Sequence, residues 1–304
     1  MAESIPVDEG MLPESNAERH ARLIEAIYRS ALAEHGEFKE VPAEEMRSLI
    51  GTVLSEMEEL EAAADPKNAL AAITPEIANS ITALWDFSGP GTYDDPVKED
   101  RYKDKSWARG MDRARLNYAA WLVRKITEMR DPGIAQKGPI DEAAERSNRA
   151  RQSIREVGPT LIYNGTSEEN AVVVDVLTRE GIIIPSEKAH VMGEGIKNTV
   201  DQIKTFSLPE NLHEPGKEIG LISHAPHLIR VAHMLNRYQS IPPDMDIRFF
   251  PIKTPEDGRE EYTAMEIRGI LYYIYLSKNH DAAKEPYPYI VHGKQKKDED
   301  ELGV

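Results

Sequence analysis

The sequence predicts an α/β protein, a three-layer sandwich around a mainly parallel sheet, preceded by an N-terminal helical extension. Two observations predict it. From residue 80 onward, short apolar runs alternate with longer segments of helical periodicity, the pattern of β-α-β units. Two of the runs, residues 160–163 and 219–222, break into turns of small and polar residues just before a helix: Asn164-Gly165-Thr166 and Ser223-His224-Ala225-Pro226-His227. Open α/β sheets build ligand sites at such strand-to-helix turns.

Composition narrows the class. A chain of 304 residues can bury a full core and hold one large domain or two small ones. Its 37 basic and 53 acidic residues leave a net charge of −16. Such a field repels polyphosphate backbones, and no basic stripe interleaved with aromatics offsets it, so nucleic acid is not an expected partner. A small anion held by a local Arg or His is compatible with it. Cysteine is absent, which removes disulfides, thiol nucleophiles and cysteine metal sites. Residues 1–14 are acidic and lack the basic and apolar regions of a signal peptide. No apolar run approaches the ~20 residues of a membrane span. The expectation is a cytoplasmic protein without a membrane span.

Taken in order, residues 1–14 read as a flexible N-terminus. From Asn16 to Glu34, Leu23, Ile24, Ile27, Ala31 and Leu32 recur at helical spacing. His35-Gly36 stops that helix. From Pro42 a second one carries Met46, Leu49, Ile50, Val53, Leu54, Met57 and Leu60 as a broad apolar stripe. The extension, residues 15–79, can cap the main domain, form a homodimer or hold a protein partner through residues 16–62. Packing against its own domain is the plain expectation. A third helical piece covers 68–80.

A strand at 81–87 then leads into the glycine-rich turn Ser88-Gly89-Pro90-Gly91-Thr92, which matches neither a dinucleotide fingerprint nor a P-loop. A helix at 106–129 points Leu116, Ala119, Ala120, Leu122, Val123 and Ile126 at the sheet, and a polar helix covers 141–157. Strand 160–163 precedes a helix ended by Gly181, and the run 182–185 continues into 188–192 as a short strand. A helix at 198–206, a loop at 208–216, strand 219–222, helix 226–238, strand 246–251 and a terminal helix at 262–277 complete the pattern. The α/β domain is thus set at 80–280. Residues 281–304, two prolines and then a charged run, read as a disordered acidic tail.

Several positions can carry chemistry. His224 and His227 sit where a buried strand opens into a helix, with Arg230 one turn later. At a sheet's carboxyl edge such a His-x-x-Arg pair binds an anion, and the helix N-terminus adds its amides. Local capping and packing are the bland alternative. The two histidines, with His233, also have the spacing of a metal pair, but there is no H-E-x-x-H helix and no third carboxylate at fixed spacing. In Asn164-Gly165-Thr166-Ser167-Glu168-Glu169-Asn170, a helix cap and a ligand contact explain the residues equally well. Asn198-Thr199 opens a helix, and an N-cap explains one of the two. Of Arg113 and Arg115, one can turn inward from a solvated helix face. Ser223 lacks the flanking glycines of a hydrolase elbow.

The order of these turns resembles the bacterial family typified by SanA, ElyC and YdcF, whose function is largely undefined. The resemblance covers about residues 80–252. It rests on the strand and glycine turn at 83–91, Arg115 to Ala119, Asn164-Gly165-Thr166 with Glu168 and Glu169, Gly181 to Pro185, Asn198-Thr199, and Ser223-x-x-His227-x-x-Arg230-Val231-Ala232. Thr166 replaces the family's second glycine, Ile222 its threonine, and Glu194 is the nearest match to its displaced acidic residue. The likeness is to the soluble YdcF type.

It implies a Rossmann-like α/β domain with a polar cleft for a nucleotide-like or phosphate-bearing small molecule. S-adenosylmethionine is a ligand suggested within the family, the cofactor is otherwise open, an enzymatic role is suspected, and envelope maintenance is the usual context. His227 and Arg230 are then the candidate catalytic residues. Ser88, Gly89, Gly91, Arg115, Asn164, Gly165, Thr166, Glu168, Glu169, Asn198, Thr199, Ser223 and His224 are the candidate ligand contacts, with no metal ligand among them. Two alternatives stand beside an enzyme of undefined reaction. One is a non-catalytic sensor acting through a partner on the N-terminal helices; the other is a metal-dependent hydrolase built on His224 and His227.

Overall fold

The chain lays down its strands outward from a centre and then returns to that centre. In the computed structural model, β1 (Ile81–Phe87) is paired on one side with β2 (Thr160–Asn164), which is followed outward by β3 (Ala189–Val191). The chain then crosses back to the other side of β1 with β4 (Glu218–His224), β5 (Asp246–Ile252) and β6 (Ile290–Val291). The order β3-β2-β1-β4-β5-β6 is parallel throughout, and β7 (Lys294–Gln295) closes the edge antiparallel to β6. This is the doubly wound order of Rossmann-type sheets, with its reversal between β1 and β4. The structure describes residues 14–64, 73–88, 111–133, 143–166, 170, 173, 184–191, 196–238, 240–277, 284–291 and 294–295.

Both faces of the central strands are covered, which is why they read as continuous apolar runs rather than alternating ones. Ala83, Trp85 and Phe87 of β1 face one core with Ile162, Ile219, Leu221, Ile247 and Phe249. Ile81 and Leu84 face the other, with Leu161, Tyr163, Ile222 and Phe250. On the second face lie α3 (Pro75–Ser80), α4 (Met111–Arg130) and α5 (Ala143–Val157). On the first lie α6 (Thr199–Thr205), α7 (Ala225–Tyr238) and α8 (Arg259–Leu271), which runs on as a π-turn through Leu276. Gly220 of β4 is a packing requirement, since a Cβ there would come within 2.6 Å of Leu84 and Phe250.

The N-terminal extension belongs to the first core. α1 (Asn16–Glu34) starts at a capping box between Ser15 and Glu18, and α2 (Ala43–Ala63) follows a short 3-10 turn. The stripe of Leu23, Ile27, Met46, Ile50, Val53, Leu54, Met57 and Leu60, for which packing against its own domain is the plain expectation and a homodimer or partner the alternatives, is buried within the chain. α2 packs against α7, α8 and β5, and α1 against α2 and α8. The boundary at residue 79 is therefore not one between separately cored units. Of the helix expected at 68–80, 75–80 is helical and 65–72 lies outside the described residues.

The C-terminal boundary also changes. Residues 284–291, expected within a disordered tail from 281, supply the sixth strand. Tyr289 stacks on Phe249 with ring centroids 4.2 Å apart, and Tyr287 N–H donates to the Ala232 carbonyl. The physical reason is the apolar run Tyr287-Pro288-Tyr289-Ile290-Val291, which precedes the charged residues and has a buried edge to cover. Residues 296–304 and 1–13 lie outside the described residues.

The amino edge of the sheet is closed internally. Arg130 donates to the carbonyls of Ala78, Ile81 and Val157, and Arg248 of β5 pairs with Glu218 of β4 in a buried salt bridge. Among the described residues no helix is long and apolar enough to cross a membrane.

Tyr289→Ala removes a buried ring and its stack on β5, and is expected to destabilise the protein by about 3 kcal/mol. Urea unfolding of the full chain measures it. A change below roughly 0.5 kcal/mol, the size of an ordinary surface substitution, would mean that β6 does not belong to the cooperative core.

Candidate active site

The polar groups gather where the strand order reverses, at the carboxyl ends of β1, β2 and β4. In open α/β sheets this is where ligand crevices form, because the connections leaving the two central strands, here β1 and β4, go to opposite faces. Three sets of interactions build the site.

The first is centred on Arg115. It sits on the buried face of α4, while Arg113 two residues earlier is exposed. Its Nη1 donates to the Phe87 carbonyl at the end of β1, and its Nε donates to His224 Nδ1, both at 3.0 Å. A guanidinium has no acceptor, so Nδ1 of His224 carries the lone pair and Nε2 the proton. Burial first, and the Arg115 charge second, hold this imidazole well below its usual range, so it is neutral at physiological pH.

The second set runs from α8 to β4. Arg230, one turn past His227 on α7, lies along Gly269 of α8, where a Cβ would meet its Cδ and Nη1 at 3.1 Å. Its Nε pairs with Glu266 at 2.9 Å, and its Nη2 donates to Thr199 Oγ1 at 2.7 Å. Thr199 Oγ1 stands 3.2 Å from His227 Nε2, and Ser223 Oγ stands 3.3 Å from His227 Nδ1. Burial pushes the Glu266 carboxyl up, with Arg230 the main opposing influence. Tyr262, fully buried beside Glu266, turns its ring edge-on to His224 with centroids 6.2 Å apart, so it stands between the two sets.

The third set braces the floor. Trp85, stacked on Phe87 and Phe206, donates its Nε1–H to Asn164 Oδ1 at 2.7 Å. Asn164 Nδ2 donates to the Gln202 carbonyl at 2.7 Å, and Gln202 Nε2 returns a bond to the Asn164 carbonyl at 2.8 Å and another to Ser88 Oγ. Gly165 N–H donates to Asn170 Oδ1.

The sequence candidates therefore divide. Arg115, Thr199, Ser223, His224, His227 and Arg230 converge in one buried polar cluster at the crevice. Asn164 and Ser88 lie beside it, but both ends of the Asn164 amide are bonded to the protein's own groups. Asn198 is exposed and caps α6, accepting from Asp201 N–H. The Thr166 carbonyl accepts from Asn170 N–H in the turn after β2. Gly89, Gly91, Glu168 and Glu169 lie outside the described residues.

The histidine pair is not arranged as metal ligands. His224 Nδ1 is filled by a guanidinium, and both His227 nitrogens face hydroxyls. Among the described residues no group of three or more His, Asp or Glu side chains could hold a metal ion.

Around this site, the buried Asp86, Gln202, Tyr262 and Glu266 escaped sequence reasoning as candidates. Two left a signal. Asp86 is a carboxylate inside a strand that is otherwise apolar at its carboxyl end. Glu266 falls on the stripe Tyr262, Glu266, Ile270, Ile274, whose spacing of four marks the buried face of α8. Comparisons with protein-family models, curated proteins and solved structures found no match.

The neutral His224 has a consequence for stability. Its folded pKa lies below that of the unfolded chain, 6.5, so below about pH 6.5 the unfolded state takes up the proton first and stability falls. Glu266, raised above 4.5 in the fold, works in the opposite direction as the pH falls through its folded value. His224→Asn leaves an acceptor where Nδ1 stands and removes the titration. Denaturant unfolding between pH 7.5 and 5.5 is expected to show a smaller loss of stability in this variant than in the wild type, and equal slopes would refute the assignment.

Proposed function

We propose that the chain binds a phosphate-bearing, nucleotide-like small molecule in the crevice between the carboxyl ends of β1 and β4, and acts on it as an enzyme. One observation carries this reading. Arg115, Thr199, Ser223, His227 and Arg230, the separate positions on which the resemblance to SanA, ElyC and YdcF rests, lie up to 115 residues apart in sequence, between Arg115 and Arg230; in the fold the last four form one hydrogen-bonded set, and Arg115 holds His224, the neighbour of Ser223. Core packing alone does not call for two arginines and two histidines at a strand-order reversal, because buried charge is costly unless it is used or paired.

The chemistry suits an oxyanion. The first turn of α7 supplies backbone amides with the positive end of the helix dipole. Ser223 and Thr199 supply hydroxyls, and the guanidinium of Arg230 is partly exposed, with Glu266 balancing its charge. In this reading Arg230 and Ser223 orient the anionic group, Arg115 fixes His224 and the end of β1, and His227 donates or accepts a proton. S-adenosylmethionine, nucleotides and sugar phosphates are the candidate ligands. The sensor alternative is the weaker one, since the apolar stripe it needs on the N-terminal helices is buried in the chain's own core.

A thermal-shift screen against inorganic phosphate, nucleotides, S-adenosylmethionine and sugar phosphates tests the reading, run beside Arg230→Ala. A ligand at 100 times its dissociation constant stabilises by about 2.7 kcal/mol. One class is expected to shift the wild type and not the variant. If no class shifts either protein, the proposed site is abandoned.

A further inference from the structure

The position of the proton on His227 is governed from outside the crevice. Arg230 Nη2 stands 3.5 Å from His227 Nε2. A guanidinium offers only donors, and its charge opposes an N–H pointed at it, so Nε2 is favoured to carry a lone pair. Thr199 supports the same assignment. Its oxygen accepts from Arg230 at 2.7 Å, and at 3.2 Å from Nε2 its own hydroxyl hydrogen has the imidazole lone pair as a partner. The ring proton then belongs on Nδ1, facing Ser223 Oγ at 3.3 Å.

All of this depends on where the guanidinium stands. Glu266, on a different helix and almost completely buried, takes Arg230 Nε at 2.9 Å. Gly269, one turn further along α8, leaves the track on which the Arg230 side chain lies. We infer that Glu266 is a positioning residue: by holding Arg230 it fixes His227 as the Nδ1–H tautomer, opposite to the Nε2–H tautomer that Arg115 imposes on His224.

The consequence for ligand class rests on the function proposed above. With Nδ1 protonated, His227 donates to Ser223 and does not remove its proton, so Ser223 is not activated as a nucleophile. The crevice presents donors, from Ser223, Arg230 and the first turn of α7. It is matched to an acceptor-only oxyanion, a phosphate ester or carboxylate, held without a covalent serine intermediate.

The test is long-range proton–nitrogen correlation on the histidine rings of the full-length 15N-labelled protein. His224→Asn and His227→Gln identify the two ring systems. The wild type is expected to give opposite tautomer patterns for the two rings. Glu266→Gln keeps the side-chain shape and removes the charge; it should convert the His227 signals to a mixture of tautomers and leave those of His224 unchanged. If that variant does not fold, Gly269→Val displaces Arg230 by crowding and should give the same change.

An Nε2–H pattern at His227 in the wild type overturns the inference, as does a His227 pattern unaltered in the folded variants. Titration with inorganic phosphate separates this role from the proposed function. Binding weakened roughly tenfold by Glu266→Gln, the usual size of a supporting-shell effect, supports both. A wild type with the expected tautomers that binds no phosphate removes the ligand reading and retains the positioning role.

Discussion

Two guanidinium groups at one edge of a parallel sheet, Arg115 fully buried and Arg230 partly so, have to be answered by acceptors, and much of the carboxyl edge is arranged to supply them. Arg115 takes a main-chain carbonyl from the end of β1 and an imidazole nitrogen from the end of β4, joining the two strands where their order reverses. Arg230 takes a carboxylate from α8 and a hydroxyl from α6. Elements from five parts of the chain are thereby brought to one place. Removing either arginine would leave a neutral imidazole, a hydroxyl or a buried carboxylate without the partner that justifies its burial.

The two edges of the sheet contrast in this respect. At the amino edge, Arg130 is consumed by three carbonyls, and Arg248 and Glu218 neutralise each other between neighbouring strands. Those groups close the fold. At the carboxyl edge the polar groups belong to strand ends, helix starts and helix faces, and they meet one another directly. A difference of this kind is expected of open α/β proteins, in which the strands' carboxyl ends carry the ligand and the other end carries stability.

Much of this was legible in the sequence for a physical reason. Strands buried on both faces must be apolar throughout, and the helices between them must carry a stripe, so β1, β2, β4 and β5 and helices α1, α2 and α7 could be placed from hydrophobicity alone. The turns at Asn164 and Ser223 were visible because small and polar residues interrupt an apolar run. What stayed hidden was pairing at long range. Local pattern could not say that Arg115 rather than Arg113 turns inward, because helix phase at its first turn is set by contacts 109 residues away in His224. Asn164 looked like a ligand residue because it ends a strand, yet its amide is taken by Trp85 and Gln202. Glu266 drew no notice in the sequence, and its partner Arg230, 36 residues away, is what gives it a purpose. The tail misled because its charged end dominated the composition, while the five residues from Tyr287 to Val291 decide where it packs.

The burial of α1 and α2 also bears on how far this protein can be divided. α8 carries Glu266 and Tyr262 on one side; on the other it is braced by the N-terminal helices, through Arg19 and Arg22 to Glu260 and Glu34 to Arg268. α1 and α2 therefore form the back wall of the helix on which the Arg230 geometry depends. The smallest heritable unit of this site is then nearly the whole chain. A shortened version retaining every residue of the α/β pattern would lack the scaffold that holds those residues in register.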